Sequence, residues 1–359
     1  MQRKRVVIVD DSPTMRAMIG KVLREDGRFD VVGEAGDPYE AREVIKRTDP
    51  DVITLDVEMP RMDGISFLEK IMRLRPMPVV MFSSETHKGS RAAVEALSLG
   101  AVDALGKPTL AAPEALAALA ERVFVAAGAS VGTPPAPRRA APAADAAPHV
   151  WNGRVVLIGA STGGVDALER VLGGLPVGGP PVLITQHMPE SFLASFAERL
   201  QGQVAPEVAL ARPGAPVGPG RIYLAPGGET HLVLEGAPGR FRCGLEAGDK
   251  VSGHRPSVDV LFRSALCHAD HVVAVILTGM GRDGAEGMAA LRAAGARTIG
   301  QDAATCVVYG MPRVAAELGG VAEVCRLDAI ADTILRATGR GSGSERGASA
   351  GSAGRAGAA

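Results

Sequence analysis

Val155-Val156-Leu157-Ile158-Gly159-Ala160-Ser161-Thr162-Gly163-Gly164 (VVLIGASTGG, residues 155–164) is the stretch on which the fold turns. Its first four residues are all apolar and mostly β-branched, and a glycine ends the run, as in a short buried strand. Val165, Leu168 and Leu172 then recur at helical spacing. A strand that passes straight into a helix belongs to a parallel sheet with crossover helices. Ser161 falls on the sharp turn between them, where a side chain is presented at the sheet edge. Gly159 and Gly163 are expected to let the backbone turn tightly, as in G-x-S-x-G elbows. The N-terminus of the following helix offers N–H groups to an oxyanion. Two other readings stay open on these residues alone. The turn can be a plain Gly-rich loop with a capping serine. It can also cradle phosphate, although it matches neither G-x-G-x-x-G nor the P-loop, which needs Lys-Ser/Thr after its last glycine.

The same alternation runs outward in both directions. C-terminal strand candidates are Val182 to Thr185, Ile222 to Leu224, His231 to Leu234 and Val272 to Leu277. Towards the N-terminus the pattern breaks at GASVGTPPAPRRAAPAADAAP, residues 128–148, an Ala/Pro-rich stretch without a periodic apolar face that reads as a linker over 128–150. Before it come five more strand candidates: Val6 to Val9, Val31-Val32, Val52 to Leu55, Val79 to Phe82 and Ala101 to Leu105. Ser12-Pro13, Asp37-Pro38 and Gly64 mark helix starts, and Met15, Met18, Ile19, Val22 and Leu23 give the first helix its apolar face. The reading is two α/β doubly wound domains: a five-stranded one over 1–127 and a second over 151–338. A low-complexity tail over 339–359 is expected to be disordered.

Bulk properties narrow the function. At 359 residues the chain is long for one domain, and 46% hydrophobic residues suffice for two cores. A net charge of -1 and 3% aromatic residues argue against nucleic acid as a partner. Cys243, Cys267, Cys306 and Cys325 contain no CxxC pair, which suits free thiols in a reducing compartment. MQRKRVVIVDDS is too short an apolar run for a secretory signal, and no run reaches membrane-spanning length. The expectation is a soluble, cytoplasmic protein without membrane insertion.

Asp10 and Asp11 end the first strand and Asp56 ends the third, so in a doubly wound sheet they converge on the ligand-binding edge. Three carboxylates there repel one another unless a cation joins them, and hard oxygen ligands suit Mg²⁺. Ser83 ends the next strand and Lys107 follows the one after it. Their hydroxyl and ammonium suit a grip on a phosphoryl group carried by Asp56. The alternative for each aspartate is a helix cap or a solvated surface charge.

A nucleophilic serine needs a base. Of the seven histidines, His187 is best placed, directly after the run Val182 to Thr185 and at a strand's carboxyl end. His231 begins a strand, His254 lies in a loop before Pro256, and His268 and His271 flank a helix–strand junction. Cys267-His268-x-x-His271 has metal-like spacing, but the junction is expected to put these side chains on different elements. The imidazole in turn needs an acid. Asp283, in the Gly-rich loop after Val272 to Leu277, is the candidate; its alternative role is an N-cap. The chain order Ser, His, Asp differs from that of α/β-hydrolases.

Residues 4 to 125 resemble the response-regulator receiver family through VDDS, LDVEMPRMDG, VVMFSS and GKP. The resemblance implies a flavodoxin-like fold with Asp56 as phosphoacceptor. It implies Asp11 and Asp56 as Mg²⁺ ligands, Asp10 acting through water, and the Glu58 backbone carbonyl completing the site. Ser83 would be the switch hydroxyl and Lys107 the phosphate-binding lysine. Ala104 stands where many receivers carry a switch aromatic. Residues 151 to 337 resemble the chemotaxis protein-glutamate methylesterase (CheB) family through IGASTGG, ITQHMP, HRPSVDVLF, LTGMGRDGAEG and QDAATCVVYGMP. That resemblance implies Ser161 as nucleophile, His187 as base, Asp283 as orienting acid, the Met280 N–H as an oxyanion donor, and no cofactor in the catalytic domain. It implies hydrolysis of glutamyl methyl esters and deamidation of glutamines on chemoreceptors, with a histidine kinase as phosphodonor. Control is expected to come from the first domain covering the catalytic edge of the second.

Overall fold

In the N-terminal half of this computed structural model, strands and helices alternate without exception. The description covers residues 2–83, 86–107, 113–132 and 149–340. The elements are β1 (Lys4–Val9), α1 (Pro13–Asp26), β2 (Phe29–Ala35), α2 (Pro38–Thr48), β3 (Val52–Asp56), α3 (Gly64–Leu74), β4 (Val79–Ser83), α4 (His87–Ser98), β5 (Asp103–Gly106) and α5 (Pro113–Ala126). The strands pair in parallel in the order β2-β1-β3-β4-β5. Side chains alternate across the sheet. Val7, Val9, Ile53 and Leu55 pack on one face, and Val6, Ile8, Val52, Val80 and Phe82 on the other. The helix starts are capped as the sequence suggests. Ser12 Oγ accepts the Met15 N–H at 3.3 Å, and Asp37 accepts those of Tyr39 and Glu40. The order reverses between β1 and β3, so a crevice opens beyond the carboxyl ends of those two strands.

The C-terminal half comprises β6 (Val155–Ala160), α6 (Gly164–Gly173), β7 (Val182–Gln186), α7 (Glu190–Gln201), β8 (Glu207–Leu210), β9 (Arg221–Leu224), β10 (Thr230–Glu235), β11 (Arg242–Ala247), α8 (Val258–Ser264), a 3₁₀ segment (Leu266–His271), β12 (Val272–Ile276), α9 (Ala285–Ala293), β13 (Arg297–Gln301), α10 (Met311–Glu317), β14 (Glu323–Cys325) and α11 (Leu327–Thr338). Seven strands form a parallel sheet in the order β14-β13-β12-β6-β7-β9-β8. β6 lies at its centre, and the chain winds outward to either side. The carboxyl ends of β12, β6 and β7 are therefore immediate neighbours at the switch point. The run His231 to Leu234 does form a strand, but in an antiparallel hairpin with β11 outside the main sheet.

Gly159 has a different role from the one its motif suggests. It lies inside β6, and a Cβ there would sit 2.3 Å from Val258 Cγ1. It allows α8 to approach the sheet. The turn itself falls to Gly163, at φ +77. Gly159→Ala is expected to destabilise the fold by about 1–3 kcal/mol through overpacking. A thermal melt should fall by several degrees; an unchanged melt would show that Val258 can yield.

The two halves touch. Helix α4 packs against α6 and α7. Ser98 Oγ donates to Glu169 Oε1 at 2.7 Å, and the Arg199 guanidinium Nε donates to the same oxygen at 2.7 Å. After α5, the Ser130 N–H reaches the Val307 carbonyl at 3.3 Å. Most of the expected linker, residues 133–148, and the tail from 341 lie outside the described residues. Gly339 and Arg340 pair with Trp151 and Val150, which joins the two ends of the C-terminal half.

Candidate active site

Ser161 directly follows β6, His187 directly follows β7, and Asp283 lies in the loop between β12 and α9. Neighbouring strand ends thus gather three residues far apart in the chain. His187 Nε2 is 2.7 Å from Asp283 Oδ2. Asp283 also accepts from Ser257 Oγ at 2.7 Å, the Val258 N–H at 2.7 Å and the Asp259 N–H at 3.1 Å. Burial opposes its ionisation, but the donors from His187, Ser257 and Val258 outweigh it and hold the carboxyl below its usual range. An ionised acceptor makes Nε2 the N–H of the neutral ring. The other nitrogen, Nδ1, is buried without a partner among the described residues. Its lone pair is left unused, and Ser161 and His187 line the same cleft. Asp283 is not the N-cap of α9; that position belongs to Gly284.

The serine turn is tightly enclosed. The Ser161 N–H donates to the Thr278 carbonyl at 3.0 Å, and the Gln186 side-chain amide donates to the Ser161 carbonyl at 2.9 Å. A Cβ on Gly279 would lie 2.8 Å from Ser161 Cβ, so only glycine lets the 278–284 loop pass this close. That approach brings the Met280 backbone near the serine. Among the described residues the N–H groups of Met280 and Thr162 donate to no protein acceptor. Both are available to a developing oxyanion.

The second cluster forms at the crevice of the first sheet. Ligand oxygens of Asp10, Asp11 and Asp56 lie within 4.8 Å of one another. Burial, and then Asp56, push the Asp10 carboxyl up to about 6; its Oδ2 has no hydrogen-bond donor among the described residues, although the Lys107 ammonium lies 3.8 Å away. Burial also raises Asp56, against the Lys107 ammonium at 2.7 Å from its Oδ2. Such an all-oxygen set, with one buried acceptor unused, fits a hard divalent cation such as Mg²⁺. The Glu58 N–H donates to Asp56 Oδ1 at 3.2 Å. Ser83 Oγ donates to the Gly89 carbonyl in the first turn of α4 at 2.8 Å. A Cβ on Gly64 would fall 2.0 Å from the Asp56 carbonyl oxygen, which explains the glycine that opens α3.

Residues of both halves line the catalytic cleft. The cleft that contains Ser161 and His187 is closed from the N-terminal half by Leu97, Ala101, Asp103, Ala104 and Arg122. Arg122 Nε donates to Asp103 Oδ2 at 2.6 Å, so an ion pair forms part of the cover. Ser161 and His187 are 7% and 8% exposed, too little for a protein side chain to reach them.

Some of the site was not legible beforehand. His254, which the sequence marks only as a loop residue before Pro256, stacks on His187, and Ser257, which the sequence does not single out, donates to Asp283. No local pattern marks them, because their partners lie 67 and 26 positions away in the chain. The segment that carries Cys267, His268 and His271 is broken by a kink at His268, at φ -131 and ψ 27, so Cys267 and His271 fall on opposite sides of a break in the helix. The His268 ring pairs with the Gly236 carbonyl at 3.0 Å, and among the described residues the three form no metal-holding group.

Comparison with known proteins agrees with both halves. Residues 156–334 match the family described as CheB methylesterase, and residues 6–120 match the response regulator receiver domain. A protein-glutamate methylesterase/protein-glutamine glutaminase of Caulobacter vibrioides is 53% identical over 344 residues, covering 93% of this chain and 98% of that protein. One from Agrobacterium fabrum is 52% identical over 342 residues, covering 93% and 96%. The solved CheB methylesterase catalytic domain of Thermotoga maritima is 37% identical, covers 51% of this chain and 98% of its own, and aligns with a TM-score of 0.49. The receiver-type α/β sheet, the serine elbow at the centre of the second sheet and relatives matched almost end to end place this chain in the CheB methylesterase family, with a response-regulator receiver domain ahead of the catalytic one.

Proposed function

We propose that this chain is a phosphorylation-controlled protein-glutamate methylesterase and protein-glutamine glutaminase that acts on methyl-accepting chemotaxis receptors in sensory adaptation. The reading assigns residues 1–127 to the receiver and 151–338 to the hydrolase, and places the protein in the cytoplasm. The observation that carries it is the 2.7 Å contact between His187 and Asp283, with the other ring nitrogen left without a hydrogen-bond partner among the described residues, in the cleft of Ser161.

Ser161 Oγ attacks the carbonyl carbon of a γ-glutamyl methyl ester while His187 Nδ1 takes its proton. The oxyanion is held by the N–H groups of Met280 and Thr162. As the tetrahedral intermediate collapses, His187 returns the proton to the departing methoxide and methanol leaves. Water, deprotonated by His187, then hydrolyses the acyl-serine to glutamate. With a glutamine side chain the leaving group is ammonia. Asp283 fixes the tautomer and stabilises the transient imidazolium.

In the receiver, Asp56 takes a phosphoryl group from a chemotaxis histidine kinase. Asp10, Asp11, Asp56 and the Glu58 carbonyl would hold Mg²⁺, which when bound offsets carboxylate repulsion and phosphoryl charge. Lys107 is released from Asp56 to pair with the phosphoryl oxygens, and Ser83 turns from the Gly89 carbonyl towards them. Both changes pull on α4 and β5, the elements that carry Leu97, Asp103 and Ala104 onto the catalytic cleft. With alanine at 104, this coupling runs through α4 and the Lys107 strand end rather than through an aromatic rotamer.

The test is methanol release from methylated receptor by the full chain, with and without a small phosphodonor and Mg²⁺. The expected gain is about 5- to 150-fold, the range of an ordinary coupling between sites. Asp56→Asn should hydrolyse at the unstimulated rate and gain nothing. A wild-type chain that releases no methanol under any condition would overturn the proposal, and an Asp56→Asn chain that still responds would overturn the phosphoacceptor.

A further inference from the structure

The imidazole of His254 lies flat against that of His187, with ring centroids 3.7 Å apart and planes within 6°. Its backbone is fixed on both sides. The His254 N–H and carbonyl pair with those of Val251, each at 3.0 Å. The next residue, Arg255, donates to the carbonyls of Gly228 at 2.8 Å and Gly248 at 2.9 Å. Two residues further, the Ser257 N–H donates to His231 Nδ1 at 3.0 Å, and His231 Nε2 pairs with the Asp249 carbonyl at 2.9 Å. The same segment sends the Ser257 hydroxyl and the Val258 N–H to Asp283. One short stretch, 254–258, therefore grips both the acid and the ring between acid and serine.

We propose that His254 is a positioning residue for the hydrolysis: its ring is a flat wall that sets the plane of His187, keeping Nε2 on Asp283 while Nδ1 addresses the serine. A single hydrogen bond to Asp283 leaves the His187 ring free to rotate about that contact, and the stacked wall removes this freedom. The reading rests on the Ser161–His187–Asp283 assignment above. The electrostatics agree. The titratable and charged groups that bear on His254 are His187, Asp283, Arg122 from the receiver and Lys250. Burial and then His187, with Arg122 and Lys250, outweigh Asp283 and lower its pKa to about 4. His254 is thus uncharged near neutral pH and places no positive charge against the imidazolium that forms on His187 during turnover. The receiver's Arg122 also bears on this ring, so its removal from the cleft would leave His254 in a less cationic setting.

The experiment compares His254→Phe, His254→Leu and His254→Ala in the full chain with phosphodonor, measuring kcat and KM for methanol release beside thermal melts. Phenylalanine keeps a flat ring, leucine fills space without one, and alanine leaves a gap. The Leu and Ala variants should lose about 10- to 100-fold in kcat, as a misoriented base does, with KM within about 3-fold. The Phe variant should stay within about 5-fold of wild type on the same scale. Wild-type kcat in the Leu or Ala variant overturns the proposal, and so does a Phe variant as slow as Leu; if Leu and Ala do not fold, Phe alone decides. Ser161→Ala is run alongside. Turnover surviving there removes the triad and this proposal together, whereas a dead Ser161→Ala with a fully active His254→Leu removes only the wall.

Discussion

Replacing Ser161 with alanine is expected to reduce methanol release by about 10⁵- to 10⁶-fold in kcat, the scale seen when a serine hydrolase loses its nucleophile. The loss should fall on chemistry and not on the fold. The side chain is small, its backbone N–H and carbonyl are already bonded to Thr278 and Gln186, and among the described residues no hydrogen bond depends on its hydroxyl. Melts and receptor binding should therefore match wild type. The receiver should still be phosphorylated, because Asp56 belongs to the other sheet. Residual turnover above about 10⁻² of wild type would mean that another group attacks the ester.

The second large effect is expected from Asp283→Asn, about 10⁴-fold in kcat. The change is nearly isosteric, yet it reverses the site's logic. Asp283 accepts four hydrogen bonds, from His187, Ser257, Val258 and Asp259. Oδ1 accepts from Ser257 and Asp259 and Oδ2 from His187 and Val258, so whichever position becomes NH₂ meets a backbone N–H, and an NH₂ at the Oδ2 position compels His187 Nε2 to accept. In that tautomer the proton moves to Nδ1, the nitrogen that must take it from serine. Lowered stability should accompany the lost rate, because Ser257 and the N-terminus of α8 lose an anion. The pH dependence follows from the sign of the shift. The carboxyl is held below its usual value, so its contribution is fully present above the ordinary carboxylate range and is lost as pH falls through the depressed value. Acid unfolding of wild type should therefore include a component at low pH that Asp283→Asn lacks. Identical acid profiles would show that the carboxylate carries no such load.

Strand periodicity carried most of the fold. Runs such as Val52 to Leu55 and Val155 to Ile158 are buried on both faces, and continuous apolar sequence is the direct signature of that environment. Four strands escaped the same reading: β8, β11, β13 and β14. Glu207-Val-Ala-Leu and Glu323-Val-Cys are short edge strands with exposed first residues. Arg297-Thr-Ile-Gly-Gln buries two polar side chains: Thr298, whose hydroxyl accepts the Ala322 N–H at 3.0 Å, and Gln301, which serves the site. Gln301 Oε1 accepts the Thr278 N–H at 2.7 Å and so fixes the loop beside Ser161. Polar side chains with hydrogen-bonding tasks stand where apolar ones would have marked the strand, and the pattern is lost.

The chemistry divides along the same line. Ser161, His187, Asp10 and Asp56 each end or follow an apolar run, and a parallel sheet must send such ends to one rim; that is a consequence of strand polarity, already contained in the one-dimensional order of residues. What lay outside that order was which nitrogen of His187 faces the acid, that His254 backs the ring, and that Ala104 and Arg122 of the receiver close the cleft. Those are contacts between segments with no fixed separation in the chain. Only the packing of α4 on α6 and α7, and of α8 with its preceding loop against β6 and β7, brings them within reach.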